Sequence, residues 1–161
     1  MRAVVQRVTR ASVQVEGSDV GRIRTRAVEG VDGTWRLTGD KCWISYGDHD
    51  LAERIGHFAL ARSQGAPGGT RGLSLFLVPD TLEGGARNGV TVTRLEEKLG
   101  LHGSPTCALA FEEAEAVPIG PPGRGLPTLF AMIVSMRLAT DALKPFIGDA
   151  PGWLGRRLRR P

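Results

Sequence analysis

The fold is decided by one stretch in the first third of the chain, which reads Gly33-Thr34-Trp35-Arg36-Leu37-Thr38-Gly39-Asp40-Lys41-Cys42-Trp43-Ile44-Ser45. The stretch begins at the glycine of the dipeptide Asp32-Gly33. This dipeptide between alternating segments predicts a hairpin, because glycine accepts the positive φ of a tight turn. The flanking segments predict strands over 24–29 and 34–38. Thr38-Gly39 predicts a second turn, followed by a strand over 40–46.

Further β-strands are predicted downstream of this stretch. Their connectors are rich in glycine and proline, as in Gln64-Gly65-Ala66-Pro67-Gly68-Gly69. Short strands at such spacing favour a barrel or sandwich over alternating strands and helices. We therefore predict a mainly β protein, with a small β-barrel or sandwich domain over 24–118. The additional strands are 57–62, 73–78, 90–96 and 106–111.

The pattern changes after Pro118. A linker over 121–125 precedes apolar residues at helical spacing, which predict one C-terminal helix over 126–143, so that 119–143 forms a linker and helix. Pro145 is expected to stop that helix. Residues 144–161 are predicted to be a disordered, irregular basic tail. An apolar helix of this kind favours a partner, so self-association through 126–143 is one hypothesis.

The ends of the chain are basic and its body is acidic. The net charge is +4 in all, and it divides into +4 for residues 1–26, −4 for 27–143 and +4 for 144–161. A nucleic-acid groove needs Lys and Arg gathered on one folded face. A nucleic-acid partner is therefore not expected.

The cysteine and histidine content predicts neither disulfides nor a metal site. Cys42 and Cys107 are the two cysteines, and the three histidines share no ligand spacing. A reducing, cytoplasmic compartment fits this usage. No run of 18 apolar residues exists, so no membrane span is expected.

Two pairs of residues are candidates for a binding site. Trp43 and Ser45 are two apart on a predicted strand, so they are expected on one face, where an indole and a hydroxyl suit a ring-shaped ligand. Alternatively, Trp43 is a core aromatic and Ser45 a turn residue at the strand end. Ser104 and Thr106 flank Pro105, and their hydroxyls either reach a ligand phosphate or cap a turn.

Residues 24–142 resemble the central β-domain of the acyl-CoA dehydrogenase family. Two segments, His102-Gly103-Ser104-Pro105-Thr106 and Asp48-His49-Asp50, are similar to the branch of that family that handles methylthio-propionyl and longer-chain thioesters. The resemblance rests on the opening stretch and on four further segments in order. These are 73–79, 97–107, Phe111-Glu112-Glu113 and the entry into the helix from Ile119-Gly120.

The resemblance implies an FAD enzyme acting on acyl-CoA thioesters. In that family a Glu base removes the α-proton while the β-hydrogen leaves as hydride to FAD. The resemblance places Trp43 beside the flavin ring and makes Ser45 a hydrogen-bond donor to it, where negative charge accumulates. It places Ser104, Thr106 and Arg137 near the acyl-CoA. A lone helix arginine such as Arg137 is otherwise a solvent-facing ion-pair partner.

The first 23 residues resemble another family. Two β-branched segments, 3–8 and 11–16, predict strands, and residues 1–23 are similar to the start of a D-aminoacyl-tRNA deacylase. The deacylase's later active-site segments have no counterpart here. The dehydrogenase's Glu-bearing helical domain has none either, so no catalytic residue is assigned. We expect a dehydrogenase fragment that is inactive alone. A deacylase-related protein and a non-catalytic interaction fragment are the alternatives.

Overall fold

The computed structural model describes residues 20–100 and 102–147. These residues form six strands, one long helix and two short 3-10 turns, Val20–Arg22 and Thr70–Gly72. The predicted strands 3–8 and 11–16 lie outside the described residues. The elements are β1 (Arg26–Glu29), β2 (Trp35–Ser45), β3 (Gly56–Ser63), β4 (Leu73–Pro79), β5 (Val90–Leu95), β6 (Thr106–Ile119) and α1 (Gly125–Ile147).

Five of the six strands, β1, β2, β3, β4 and β6, close into a barrel, and β5 extends the sheet by pairing with β6. Their order in the sheet is β2-β1-β3-β4-β6-β5, and an additional pairing of β2 with β6 completes the ring. β1 and β3 run parallel, whereas the other pairs are antiparallel. The mainly β prediction, with a barrel followed by one helix, is confirmed.

β6 is the central strand of the barrel. One edge pairs with β2, while the other edge pairs first with β5 and then, near Ile119, with β4. The predicted strand 106–111 was too short, because the chain continues past Phe111 through a β-bulge. There Glu112 and Glu113 lie opposite Thr38 alone, and Glu113 has φ 50°. A bulge bends a strand and increases its twist, which lets β6 turn from one partner to the next.

The predicted turn at Thr38-Gly39 was wrong. β2 runs without a break from Trp35 to Ser45, and Gly39 sits inside it with φ 133°. A Cβ at Gly39 would lie 2.9 Å from the Thr25 Cα. The glycine is therefore needed for close approach of two backbones and for a positive φ within a strand, rather than for a chain reversal.

The barrel interior is filled by alternate residues of the strands. The buried residues there range from alanine to the two largest, Phe76 and Phe111. The partly buried Trp35 packs against Phe76, with ring centroids 5.3 Å apart and the rings tilted by 47°. The buried cluster consists of Ala27, Leu37, Ala59, Ala61, Phe76, Val78, Val90, Cys107, Leu109, Phe111, Ala114 and Ala116.

One buried amide ties the connection between β4 and β5 to β6. Asn88 Nδ2 donates to the carbonyl oxygens of Pro79 and Glu115, at 2.7 and 2.9 Å. Its Oδ1 accepts from the backbone N–H groups of Gly89 and Glu115, each at 2.9 Å. The side chain therefore uses both donors and both acceptor positions, and it satisfies backbone groups that no strand pairing reaches.

The helix begins directly against the outer face of β3 and β4. A Cβ at Gly125 would lie 2.8 Å from both the Leu60 Cδ2 and the Leu73 carbonyl oxygen, so only glycine fits there. The helix continues through Pro145 to Ile147, so the predicted stop at Pro145 was wrong. Pro145 lies in the last turn of α1, and the helix ends two residues later. The N–H that proline lacks therefore removes one hydrogen bond at the end of the helix and none in its interior. The remaining predicted tail, 148–161, lies outside the described residues. None of the helices in the described ranges is long and apolar enough to cross a membrane.

Candidate functional site

Three strands meet at the end of the barrel where β2 finishes and β6 begins. Ser45 lies opposite Thr106 in the register of these two strands. The Tyr46 N–H donates to the Pro105 carbonyl oxygen at 3.0 Å, and the Glu96 N–H donates to the Thr106 carbonyl oxygen at 2.8 Å. The folded chain thus brings two predicted site residues, Ser45 and Thr106, from separate motifs into one cross-strand pair.

Trp43 is exposed beside this pair. Its side chain is 60% accessible, which excludes the interpretation of Trp43 as a core aromatic. Two residues of β2, Cys42 and Trp43, lie opposite Ala108 alone, so a β-bulge occupies this position. The bulge interrupts the alternation that predicted one shared face for Trp43 and Ser45. Both side chains are exposed, and their common face stays a prediction.

The backbone around Ser45 is strained. Among the described residues, three non-glycine residues have positive φ, and two of them are Trp43 at 59° and Tyr46 at 51°. A bulky residue in this region is an outlier that costs on the order of 1–3 kcal/mol. Such strain concentrates at functional sites, so the segment 43–46 is a candidate independently of any resemblance.

The loop before β6 is held by a local network. Lys98 Nζ donates to the Ser104 carbonyl oxygen. The His102 Nε2 lies 2.6 Å from the Lys98 carbonyl oxygen and 3.2 Å from a Glu97 carboxylate oxygen. Ser104 is half-buried in this loop. These side-chain contacts hold the loop that leads into Thr106, and the role of the Ser104 hydroxyl stays a prediction.

Arg137, the last predicted site residue, lies in α1. Its side chain lies outside the described part of the chain. The geometry therefore places its backbone on the helix and nothing more.

A cavity of about 370 Å³ opens next to Ser45, between β2 and β3. β1 separates these strands only over its short length, pairing with residues 35–38 of β2 and residues 62–63 of β3. Past the end of β1, the two strands have no common neighbour among the described residues. The lining residues are Ile23, Lys41, Ile44, Ser45, Tyr46, Ile55, Gly56, His57, Phe58, Ala59, Leu60, Leu109, Phe111 and Leu129.

Lys41 bridges this gap. It pairs in register with Leu109, a core residue, so its side chain starts from the inner side of the barrel. Its Nζ donates to the Leu60 carbonyl oxygen on β3 at 2.6 Å. Burial lowers the pKa of Lys41 to about 8, because the charged ammonium loses hydration; the nearby Cys42 acts weakly in the opposite direction.

His57 forms another part of the cavity wall. It is only 9% exposed, and its Nε2 has no hydrogen-bond partner. Burial lowers its pKa, and the carboxylates of Asp80 and Asp48 partly oppose that effect. Arg87 links these two carboxylates, at 3.4 Å from Asp80 and 3.2 Å from Asp48.

Sequence reasoning missed Lys41 and His57 as site residues. The signal for Lys41 was its position in the alternation after Leu37 and Gly39, which points it inward once β2 is treated as one strand. The predicted turn at Gly39 concealed that alternation. For His57, its place near the start of a predicted strand gave no comparable indication.

Comparison with known proteins decides the family. The sequence profile described as "Acyl-CoA dehydrogenase, middle domain" matches residues 11–114. The chain belongs to the acyl-CoA dehydrogenase family. The match begins inside the predicted head, 1–23, and covers the barrel as far as the second half of β6.

Individual acyl-CoA dehydrogenases agree with this assignment. The 3-methylmercaptopropionyl-CoA dehydrogenase of Ruegeria pomeroyi is 44% identical over 128 residues, which are 76% of this chain and 22% of that protein. The crystal structure of Caenorhabditis elegans ACDH-11 in complex with C11-CoA superposes with a TM-score of 0.62 at 38% identity, over 75% of this chain and 20% of that one.

A third acyl-CoA dehydrogenase shares the fold at lower identity. The structure from Bacillus anthracis, complexed with FAD, superposes with a TM-score of 0.54 at 24% identity, over 71% of this chain and 19% of that one. The chain therefore spans about a fifth of the length of these relatives. The shared part is the middle domain, and the chain corresponds to a fragment of an acyl-CoA dehydrogenase.

Proposed function

We propose that the barrel end formed by residues 43–46 and 104–106 is the flavin-facing surface of an acyl-CoA dehydrogenase. The observation that carries the proposal is the strained segment that holds an exposed indole beside the Ser45–Thr106 pair. An indole left in water costs hydrophobic free energy, and the positive φ of Trp43 adds a further cost. Both costs are explained if an aromatic ring system covers the indole.

The residues present fit a flavin. Trp43 would supply a flat apolar surface to the ring, and aromatic pairs contribute about 0.5–1.5 kcal/mol beyond area burial. The Ser45 hydroxyl, which can rotate, would donate a hydrogen bond to the bound flavin. When bound, FAD supplies the hydride acceptor, and a donor at its ring edge favours the negative charge that reduction brings.

For the substrate we propose an acyl-CoA thioester contacted by the residues around Ser104, Thr106 and Arg137. The half-buried Thr106 hydroxyl and the Ser104 turn lie next to Ser45, so a thioester on the flavin would approach them. The relatives act on or bind different acyl groups, 3-methylmercaptopropionyl-CoA in one and C11-CoA in another. The acyl group is therefore left open within the thioester class.

The isolated chain is proposed to have no dehydrogenase activity. The proposal assigns it no carboxylate to remove the α-proton, and without that step hydride transfer has no accompanying base. Purified chain mixed with an acyl-CoA and a dye acceptor is expected to leave the dye oxidised. Robust dye reduction would contradict this part. We also keep the prediction of a cytoplasmic compartment.

The proposed flavin site is tested by titrating FAD into the chain while following tryptophan fluorescence. Quenching is expected to saturate, to be lost in Trp43→Phe and to persist in Trp153→Phe, the matched control. Ser45→Ala is expected to weaken the affinity, whereas Thr93→Ala, an exposed hydroxyl on β5, is not. Quenching that survives Trp43→Phe undiminished would contradict the proposal.

A second candidate function is self-association through α1. Phe130, Val134 and Leu138 are 58%, 53% and 65% exposed, and they recur every four residues along one side of the helix. Such a stripe favours a partner. Sedimentation is expected to show concentration-dependent association that disappears when all three become Gln. A chain that stays monomeric at high concentration would exclude this candidate.

The deacylase-like head stays a separate prediction. Most of residues 1–23 lie outside the described ranges, so the prediction rests on sequence resemblance. Release of a D-amino acid from charged tRNA by the purified chain would support it, and no release above a heat-denatured control would contradict it.

A further inference from the structure

We propose that the cavity between β2 and β3 binds a small apolar carboxylate, whose carboxylate group pairs with Lys41 and whose chain lies along the apolar wall. This inference goes beyond the flavin surface and does not depend on it. Lys41 and His57 line this cavity, and so do Ser45 and Tyr46 of the proposed flavin surface.

The cavity follows from the strand pairing. β1 is four residues long, so it fills the space between β2 and β3 only at one end. Residues 40–45 of β2 and 56–60 of β3 extend beyond it, each paired on its other side, with β6 and β4 respectively. The opening of about 370 Å³ lies within the range of small-molecule sites.

The wall is apolar over most of its surface. Side chains from β2, β3, β6 and α1 contribute, and together they would accept a hydrocarbon chain. Burial of each methylene of such a chain contributes about 0.8 kcal/mol. The principal apolar contributors are Ile44, Ile55, Phe58, Leu60, Leu109 and Phe111.

Lys41 gives the cavity its charge preference. An ammonium has three donors, and one of them goes to the Leu60 carbonyl oxygen. None of the ion pairs within the described ranges involves Lys41. A ligand carboxylate would accept the remaining donors and supply the missing negative charge, which is the pairing that a buried cation requires.

His57 adds a polar residue to the wall of the same cavity, and the residue is only 9% exposed. Its Nε2 is fully enclosed and has no hydrogen-bond partner, which costs about 1–3 kcal/mol. Lys41 is therefore the group that a ligand carboxylate would reach.

The inference is tested with octanoate as the probe and the 161-residue chain as the protein. Isothermal titration is expected to show saturable binding of octanoate, with weaker binding of octanol and of acetate. Lys41→Met is expected to reduce octanoate affinity about ten- to a hundredfold, since hydrogen bonds to charged groups carry that much. Lys98→Met is the matched control and is expected to bind octanoate as the original chain does.

A second measurement does not depend on any variant folding. The pKa of Lys41 is followed by NMR with and without octanoate. A bound carboxylate is expected to raise the pKa of Lys41 from about 8, because an opposite charge favours the ammonium.

Several results would overturn the inference. Octanoate that does not saturate, octanol that binds equally well, or a Lys41 pKa that does not respond to octanoate would each contradict it. Octanoate binding that is equal in Lys41→Met and in the original chain would do the same. Failure of the flavin titration alone leaves this inference standing, because FAD and octanoate are titrated separately.

Discussion

Ser45, the last residue of β2, lies directly opposite Thr106, the first residue of β6. The two residues belong to sequence motifs that are far apart, and only the closing pair of barrel strands brings them together. Side chains directly opposite on antiparallel strands have Cβ atoms about 4.5–5.5 Å apart. One ligand can therefore reach both hydroxyls.

Ser45→Ala and Thr106→Ala are predicted to separate binding from stability. Each change is expected to alter the free energy of unfolding by less than about 1 kcal/mol, because a cross-strand pair contributes only about 0.2–1 kcal/mol. Each is expected to weaken FAD binding more than Thr93→Ala does. Urea unfolding and fluorescence titration of the same samples make the comparison. A fall in stability that accounts for the whole loss of binding would contradict a direct role.

Lys41→Met is predicted to stabilise the chain at neutral pH. Burial lowers the pKa of Lys41 from 10.5 to about 8. Below pH 8 the lysine is therefore protonated in both the folded and the unfolded chain, and the folded chain carries the full free-energy cost of burying the ammonium. Methionine removes that cost, with an expected gain of about 2–3 kcal/mol at pH 7, less the lost hydrogen bond to Leu60.

The pH dependence of the original chain follows from the same shift. Between about pH 8 and 10.5 the unfolded state binds a proton at this lysine that the folded state does not, so the free energy of unfolding rises with pH. Lys41→Met is expected to remove this rise, and Lys98→Met is expected to keep it. Urea unfolding at a series of pH values measures the slope, and an unchanged slope in Lys41→Met would show that the lysine titrates normally.

Asn88→Ala is predicted to destabilise the barrel by about 3 kcal/mol or more. The change leaves backbone groups of Pro79, Gly89 and Glu115 without the partners that the amide provides, and buried unpaired groups are costly. Gln64→Ala removes an exposed amide and is the control, with an expected change below about 0.5 kcal/mol. Equal effects of the two substitutions, measured by chemical unfolding, would contradict the assigned role.

Gly89→Ala adds a single methyl group and is predicted to lower the free energy of unfolding more than most such changes. A Cβ there would lie 2.0 Å from the Glu112 carbonyl oxygen, at the bulge that bends β6. Because that atom belongs to the backbone, β6 itself must move, and we expect a loss of about 3 kcal/mol or more. Gly68→Ala is the control, since nothing lies within 4 Å of its Cβ. Thermal unfolding of both variants decides the matter; a Gly89→Ala protein as stable as Gly68→Ala would contradict the close approach.

Much of the barrel could be predicted from the sequence because its information is local. The Asp32-Gly33 turn and the alternation of the strands predicted β1, β3, β4 and β5 to within a few residues. Gly39 misled the prediction, because a glycine needed for close approach to Thr25 has the same signature as a turn glycine. The length of β6 was also missed, since its bulge at Glu113 depends on a partner distant in the chain.

The candidate site could be predicted only in part. Ser45 and Thr106 were identified by resemblance, and their cross-strand pairing is a property of barrel closure that local patterns do not encode. Trp43 lies in a β-bulge opposite Ala108, and no local sequence pattern predicts that bulge. The cavity lined by Lys41 arises because β1 is short, so that in the described part of the chain the facing edges of β2 and β3 are unpaired beyond its end. No sequence motif marks the place where a neighbouring strand ends.

The measurement that tests the central claim most directly is an NMR titration of the ¹⁵N-labelled chain with FAD. If residues 43–46 and 104–106 form a flavin surface, the backbone amide signals of Trp43, Ser45, Tyr46 and Thr106 shift together and saturate, while those near Trp35 at the other end of β2 stay in place. Saturable shifts confined to the Trp35 end, or no saturable shifts at all in a folded chain, would contradict it.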